Sequence, residues 1–151
     1  MRHAEAGMAS TDVKRQLTSH GMKQALESAF ELKKLFSPQY VIVSPAIRTK
    51  MTADQVASVY GWNDNYCVYI DVVYNASQSV LIKLIESLPN EYTDVLLIAH
   101  NPGVSNLVGY LTSGFGVGFS PGTFALLDID TDSWSELSFN SVSVNKAYSP
   151  L

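Results

Sequence analysis

Val95-Leu96-Leu97-Ile98-Ala99-His100-Asn101-Pro102-Gly103 is the stretch on which the fold turns. Five apolar residues run without interruption, as in a strand buried on both faces, and the run stops at a histidine, an asparagine and a Pro-Gly pair. A short helix is expected from about Val104 to Leu111. A strand that delivers polar side chains into a turn and continues as a helix is a unit of a layered α/β sheet, and this strand is expected to be central.

The neighbouring segments repeat the pattern. Tyr40-Val41-Ile42-Val43-Ser44 is an apolar run stopped by Pro45, and Ile47 to Tyr60 carries Met51, Val56 and Val59 on a helical face with Gly61 as a C-terminal stop. Tyr66 to Ile70 makes another strand, and Ser77 caps a helix with Leu81, Leu84, Ile85 and Leu88 on its face, ended by Pro89. Upstream, Thr18 caps a helix bearing Met22, Ala25, Leu26, Ala29, Leu32 and Phe36, with Pro38 marking its end. Gly114, Gly116 and Gly118 form a loop, and Gly122 to Asp130 with Ser133 to Phe139 flank Thr131-Asp132 as a hairpin in which Trp134 packs. The tail from Asn140 carries no functional signal. The pattern predicts one α/β domain over residues 1–151, a three-layer sandwich with a mostly parallel central sheet and helices on both faces. Only Met1 precedes Arg2-His3, where a strand is expected, so the first strand is read as truncated.

Hydrophobic residues make up 46% of the 151 and charged residues 16%, which fits a folded globular chain. No apolar run approaches the ~20 residues of a membrane helix, and no secretory leader opens the chain, so the reading is a protein that does not enter a membrane. Cys67 is the one cysteine, which excludes an internal disulfide or a Cys-based zinc site and makes the cytoplasm the default location; its strand context reads as structural. A net charge of -4 argues against nucleic acid as a partner. An acidic protein that binds phosphate must concentrate its cations locally.

The chain has three arginines and three histidines. Arg2 and His3 stand side by side, Arg48 lies in the first turn of a helix, and His100 ends the most apolar strand. His20 falls in a first helical turn, where the dipole does not favour a cation, and reads as exposed. Arg48 meets the same dipole mismatch, yet a guanidinium beside free helix N–H groups makes an anion clamp. In a parallel sheet, ligands bind beyond the carboxyl ends of the strands, where Arg2, His3, Arg48 and His100 all emerge. Guanidinium forks and an imidazole N–H suit a tetrahedral phosphoryl group. No Walker-type loop, metal-carboxylate cluster or Cys-x5-Arg loop is present, so histidine is the candidate nucleophile. Flanking arginines keep such an imidazole neutral. By chemistry alone either His3 or His100 could serve.

Met1-Arg2-His3-Ala4-Glu5-Ala6, Leu17-Thr18-Ser19-His20-Gly21, Ser44-Pro45-Ala46-Ile47-Arg48-Thr49, Tyr74-Asn75-Ala76-Ser77 and Ala99-His100-Asn101-Pro102-Gly103 together resemble the histidine phosphatase superfamily, in its phosphoglycerate-mutase-like branch. The small size resembles the SixA-type phosphohistidine phosphatases. The resemblance implies that His3 is the phosphorylated nucleophile, that Arg2, Arg48 and His100 form the phosphate pocket with Asn101 beside them, and that neither metal nor cofactor is needed. Relatives that hydrolyse phosphate esters carry a Glu or Asp acid shortly after the third strand, where this chain has Asn75. An alkoxide needs that proton, and losing the acid costs a factor of ~10² to 10⁴. An imidazole already protonated on its remote nitrogen departs neutral, so the gap favours P–N over P–O substrates.

Glu5 and Asp71 are the remaining candidate acids, the first also readable as an orienting or solvated charge and the second as a loop cap. The expected partner is a phosphorylated protein, for instance a histidine phosphotransfer domain. The alternatives are a small phosphate ester, with Asp71 or Glu5 as acid, and a noncatalytic phosphate-binding module. Specificity is expected to depend on the rims Ala9–Gln16 and Gly114–Ser120.

Overall fold

The computed structural model describes residues 1–63, 65–114, 116–139 and 141–151. Strand β1, Tyr40–Val43, lies between β2, Cys67–Tyr69, and β3, Val95–Ile98, and both pairings are parallel, with Val41 opposite Cys67 and Leu96. Its three valine and isoleucine side chains are fully buried because both faces of the sheet are covered. Ile42 faces a cluster with Leu81, Val104 and Leu107, while Val41 and Val43 face Ala29, Leu32, Ala53 and Val56. That two-residue alternation sorts the helices into two outer layers, as the sequence predicts.

On one layer, α1, Ser19–Lys33, packs against α2, Ile47–Tyr60. The Thr18 hydroxyl accepts the Gly21 N–H at 2.9 Å and starts α1, which ends five residues before Pro38. Gly61 closes α2 at a φ of 75°, a left-handed conformation that a side chain would disfavour. The other layer holds α3, Gln78–Glu86, capped by the Ser77 hydroxyl, and α4, Gly103–Leu111.

Residues 1–3 form the seam between this sheet and a second one. His3 N–H donates to Ala99 O at 3.1 Å and Ala99 N–H to Met1 O at 3.0 Å, making one parallel bridge at the end of β3. On the other side, Arg2 N–H donates to Thr123 O at 2.9 Å and Gly122 N–H to His3 O at 3.0 Å. From there β4, Phe124–Ile129, pairs antiparallel with β5, Val142–Tyr148.

That hairpin differs from the one expected. Trp134–Phe139 is a 3-10 helix, not a strand, and the partner of β4 comes from the tail that the sequence reading set aside. Trp134 and Leu137 stand three residues apart, the period of a 3-10 turn, and Leu137 is buried in the same cluster as Leu81 and Ile82 of α3. Trp134 Nε1–H donates to Tyr92 O at 2.6 Å, a packing role. Val142 and Val144 supply the alternation that the partner strand requires. Asn140, where the expected tail begins, and Phe115, in the expected glycine loop, lie outside the described residues.

Candidate active site

The fold brings Arg2, His3, Arg48 and His100 together at the carboxyl end of β3. His3 and His100 approach edge to face with ring centroids 5.3 Å apart, and both are almost fully buried. Arg48 enters between them from the first turn of α2, with 3% of its surface exposed.

The hydrogen bonds fix the protonation of both rings. His3 Nδ1 lies 2.8 Å from Ala4 O, an atom that only accepts, so the ring proton sits on Nδ1. His3 Nε2 accepts from Arg48 Nε at 3.2 Å and therefore carries the lone pair. His100 has the opposite arrangement: Nδ1 accepts from Arg48 Nη2 at 3.2 Å, and Nε2–H donates to the Ser44 hydroxyl at 2.6 Å. Two neutral imidazoles thus turn lone pairs toward one guanidinium. Burial, then the Arg48 and Arg2 charges, pulls the His3 pKa down to about 4, against the opposing Ala4 bond. Burial and then Arg48 pull His100 down to about 3.

Arg2 contributes differently. Its Nη1 donates to Phe119 O at 2.7 Å, but its Nε is buried with no partner among the described residues. A buried guanidinium donor left unsatisfied costs free energy, and a bound anion would remove that cost. Asn101 shares the same carbonyl, donating Nδ2–H to Phe119 O at 3.0 Å, while its Oδ1 is buried with no partner among the described residues. The structure therefore places Asn101 as a brace of the segment that orients Arg2.

Of the two candidate acids, Glu5 is engaged with the start of α1 and Asp71 faces solvent. Glu5 accepts the Thr18 hydroxyl at 2.6 Å and its N–H is bound by Gln24 Oε1 at 3.1 Å, so it ties the Arg-His stretch to the start of α1. Asp71 is exposed at the first position of the 3-10 turn Asp71–Val73, where its carbonyl accepts the Tyr74 N–H. Asn75, in the place of an ester-type acid, adopts a φ of 49°, a left-handed conformation that asparagine tolerates.

The carboxylate that does reach the site is Asp12, which the sequence reading placed only within a specificity rim. Its Oδ2 accepts from Arg48 Nη2 at 2.9 Å and from the Tyr74 hydroxyl at 2.6 Å, and its backbone O accepts from Arg48 Nη1 at 2.7 Å. The Tyr74 bond, then Arg48 and Arg15, holds this carboxyl well below the usual range and therefore ionised. Arg15 braces the same segment through Gly7 O at 2.8 Å, Ala6 O at 3.2 Å and Asp12 Oδ1 at 3.3 Å. Asp12, Arg15 and Tyr74 lie in polar or isolated contexts that give no periodic signal. Ser44, fully buried behind His100, is legible in the sequence as the end of an apolar run and the start of the motif Ser44–Thr49, but not as the partner of His100.

A cavity of about 460 Å³ lies between β3 and β4 against α4, and none of Arg2, His3, Arg48 or His100 lines it. Its walls combine Leu, Val, Ile and Phe side chains with a polar edge that includes Asn90, Asp94, Asp128 and Asp132. Among the described residues there is no cluster of His, Cys, Asp and Glu able to hold a metal, and no helix is long and apolar enough to cross a membrane.

No family model matches the chain, and no curated protein matches it in sequence. Solved structures do. A SixA from Nakamurella multipartitia, assigned as a phosphohistidine phosphatase, is 23% identical with a TM-score of 0.87, covering 100% of this chain and 94% of that one. The protein histidine phosphatase SixA solved with tungstate is 25% identical with a TM-score of 0.85, covering 99% and 94%. A mycobacterial glucosyl-3-phosphoglycerate phosphatase aligns with a TM-score of 0.68 at 14% identity, covering 95% and 94%. The chain has the fold of these phosphatases, and the two SixA structures superpose on it more closely than the ester phosphatase does.

Proposed function

We propose that this chain, which shares the fold of the histidine phosphatase superfamily, removes the phosphoryl group from a phosphohistidine on a protein through a covalent phospho-His3 intermediate. The observation that carries the reading is His3 itself. Its proton is held on Nδ1 by Ala4 O, its Nε2 lone pair faces Arg48, and the preceding residue, Arg2, keeps a buried Nε with no partner among the described residues. His100 presents Nδ1 to the same guanidinium, but that atom is hindered by the adjacent Cβ branch, so Nε2 of His3 is the better nucleophile.

In the first step His3 Nε2 attacks phosphorus and the P–N bond to the substrate imidazole breaks. That imidazole leaves neutral when its far nitrogen already carries a proton. The phospho-His3 ring is then cationic, and the Nδ1–H···O=C bond to Ala4 stabilises the charge. In the second step water attacks phosphorus, the P–Nε2 bond breaks, His3 leaves as the neutral Nδ1–H imidazole, and the water proton departs with phosphate. His3 needs no proton transfer at either step. Arg2 and Arg48 neutralise the phosphoryl oxygens, which demands that donors be in place before the charge shifts.

A phosphohistidine leaving group suits a site in which Glu5 is committed to Thr18, Asp71 is exposed and Asp12 is held ionised. Tungstate, present in one SixA structure, is a tetrahedral oxyanion like phosphate. The protein-borne substrate, for instance a phosphorylated histidine phosphotransfer domain in the cytoplasm, is part of the same proposal. The test is phosphate release from a phosphohistidine peptide, p-nitrophenyl phosphate and sugar phosphates, by the native chain and His3→Ala. A strong preference for phosphohistidine, lost in His3→Ala, is expected. Preference for esters moves the function to a small-molecule phosphatase, and no release from any substrate leaves a phosphate-binding module.

A further inference from the structure

Arg48 has almost no donor left to give. A guanidinium carries five N–H groups. Nε–H is taken by His3, one Nη1–H by Asp12 O, and the two Nη2–H groups by Asp12 Oδ2 and His100 Nδ1, so four of the five are engaged and one Nη1–H remains. An oxyanion bound through a two-pronged guanidinium contact needs two donors. One existing partner must therefore let go.

The partners are not equally free to move. His3 gives up Arg48 Nε–H when its Nε2 turns to phosphorus, but either two-pronged edge of the fork also needs an Nη2–H, and of the two Nη2 partners His100 is buried and anchored at Nε2 by Ser44. The Asp12 side chain is 45% exposed and stands on the 3-10 turn Asp12–Lys14, which contains no buried residue. Its Oδ2 accepts from Arg48 and Tyr74, two donors that converge as they would on one oxygen of a phosphoryl group. Among the described residues its remaining oxygen is held only by Arg15, at 3.3 Å and in an exposed contact.

We propose that Asp12 is a built-in competitor of the phosphoryl group, a carboxylate that takes the Arg48 and Tyr74 donors and must release Arg48 for an oxyanion to bind. The inference rests on the phosphate-site reading and adds to it a residue that sets oxyanion affinity. Weakened affinity for an oxyanion speeds the departure of product phosphate. A protein-borne phosphohistidine has a docking surface to offset the same cost, whereas free phosphate has none.

The test is calorimetric titration of inorganic phosphate into the native chain, Asp12→Asn, Asp12→Ala and Tyr74→Phe. Both Asp12 variants are expected to bind phosphate roughly threefold to tenfold more tightly, as loss of one partly exposed ion pair and its repulsion allows. Phosphate should then inhibit turnover at correspondingly lower concentration. Tyr74→Phe, which deletes a donor while Asp12 keeps its bond to Arg48, is expected to bind phosphate more weakly than either Asp12 variant, and tighter binding than theirs counts against the competitor. Unchanged or weaker phosphate binding in both Asp12 variants overturns the proposal and makes Asp12 a positioning residue for Arg48. Absence of phosphate binding in the native chain overturns the phosphate-site reading itself and the proposal with it. Turnover of phosphohistidine with unaltered phosphate affinity in the variants overturns the competitor alone.

Discussion

Replacing Gly21 by alanine sets two effects of opposite sign against each other. Gly21 lies inside α1, where alanine is favoured over glycine by about 1 kcal/mol. The added Cβ would stand 2.0 Å from Glu5 O, 2.9 Å from Glu5 C and 3.1 Å from Glu5 N, all main-chain atoms that no rotamer change can withdraw. Glu5 O also accepts the Thr18 N–H at 3.1 Å, so moving it breaks the junction that starts the helix. Overpacking costs typically about 1 to 3 kcal/mol, and a contact this short against backbone belongs at the upper end. A net loss of about 2 kcal/mol is expected, which for a chain of this size lowers Tm by roughly 4 to 8 °C. Because Glu5 follows His3 by two residues, the displacement should reach the His3 ring and lower kcat as well. Gly109→Ala in α4 is the control: no atom lies within 4 Å of its added Cβ, and a gain of about 0.5 to 1 kcal/mol is expected. Thermal and denaturant unfolding of the two variants decides the matter. Gly21→Ala as stable as the native chain, or more so, would refute the packing argument.

Arg48→Lys keeps a positive charge but cannot reproduce the fork that reaches His3, Asp12 and His100 together, so kcat/KM for phosphohistidine should fall at least about 10²-fold, and retention of activity would contradict the geometry. Ser44→Ala leaves the His100 Nε2–H buried without its acceptor, a loss of about 1 to 3 kcal/mol in denaturant unfolding that should come with reduced turnover. The free-enzyme acid limb of kcat/KM should lie near pH 4, since protonating His3 Nε2 removes the nucleophile and its pKa is held at about 4; a midpoint near 6.5 would show the ring to be solvated. Stability has the same origin. Above the unfolded histidine pKa of 6.5 both states are neutral, and as pH falls below it the unfolded chain alone takes up protons, so stability declines from 6.5 down to the folded values of about 4 and 3, by about 1.4 kcal/mol per unit of depression, measurable as a falling denaturation midpoint.

The parts of the fold legible in the sequence are those where a local rule and the global packing agree. Tyr40–Val43 and Val95–Ile98 are apolar on both faces because both faces are covered, and Thr18, Ser77 and Gly61 mark helix ends by their own chemistry. The second strand of the hairpin was not legible, because Ser133 to Phe139 mixes apolar and polar residues in a way that an alternating strand and a 3-10 turn share, and burial of Leu137 against α3 decides between them. Arg2, His3, Arg48 and His100 stood out as scarce residue types at strand ends. Asp12 did not, since an aspartate in a run of exposed polar residues looks the same whether it meets solvent or an arginine from a helix 36 positions away. Glu5 and Asp71 are carboxylates near the motifs, yet what each meets, the Thr18 hydroxyl for Glu5 and solvent for Asp71, is a matter of tertiary placement that no spacing encodes.

The central claim is a phosphoryl group carried by His3. The most direct measurement is rapid-quench labelling with a phosphohistidine protein bearing a radioactive phosphoryl group, followed by alkaline isolation of the enzyme and mapping of the label. Transient label on His3, stable to base and labile to acid, absent in His3→Ala and discharged to free phosphate at the rate of turnover, is the expected result. Turnover with no enzyme-bound label at any quench time, or label on His100 that survives in His3→Ala, would contradict the account.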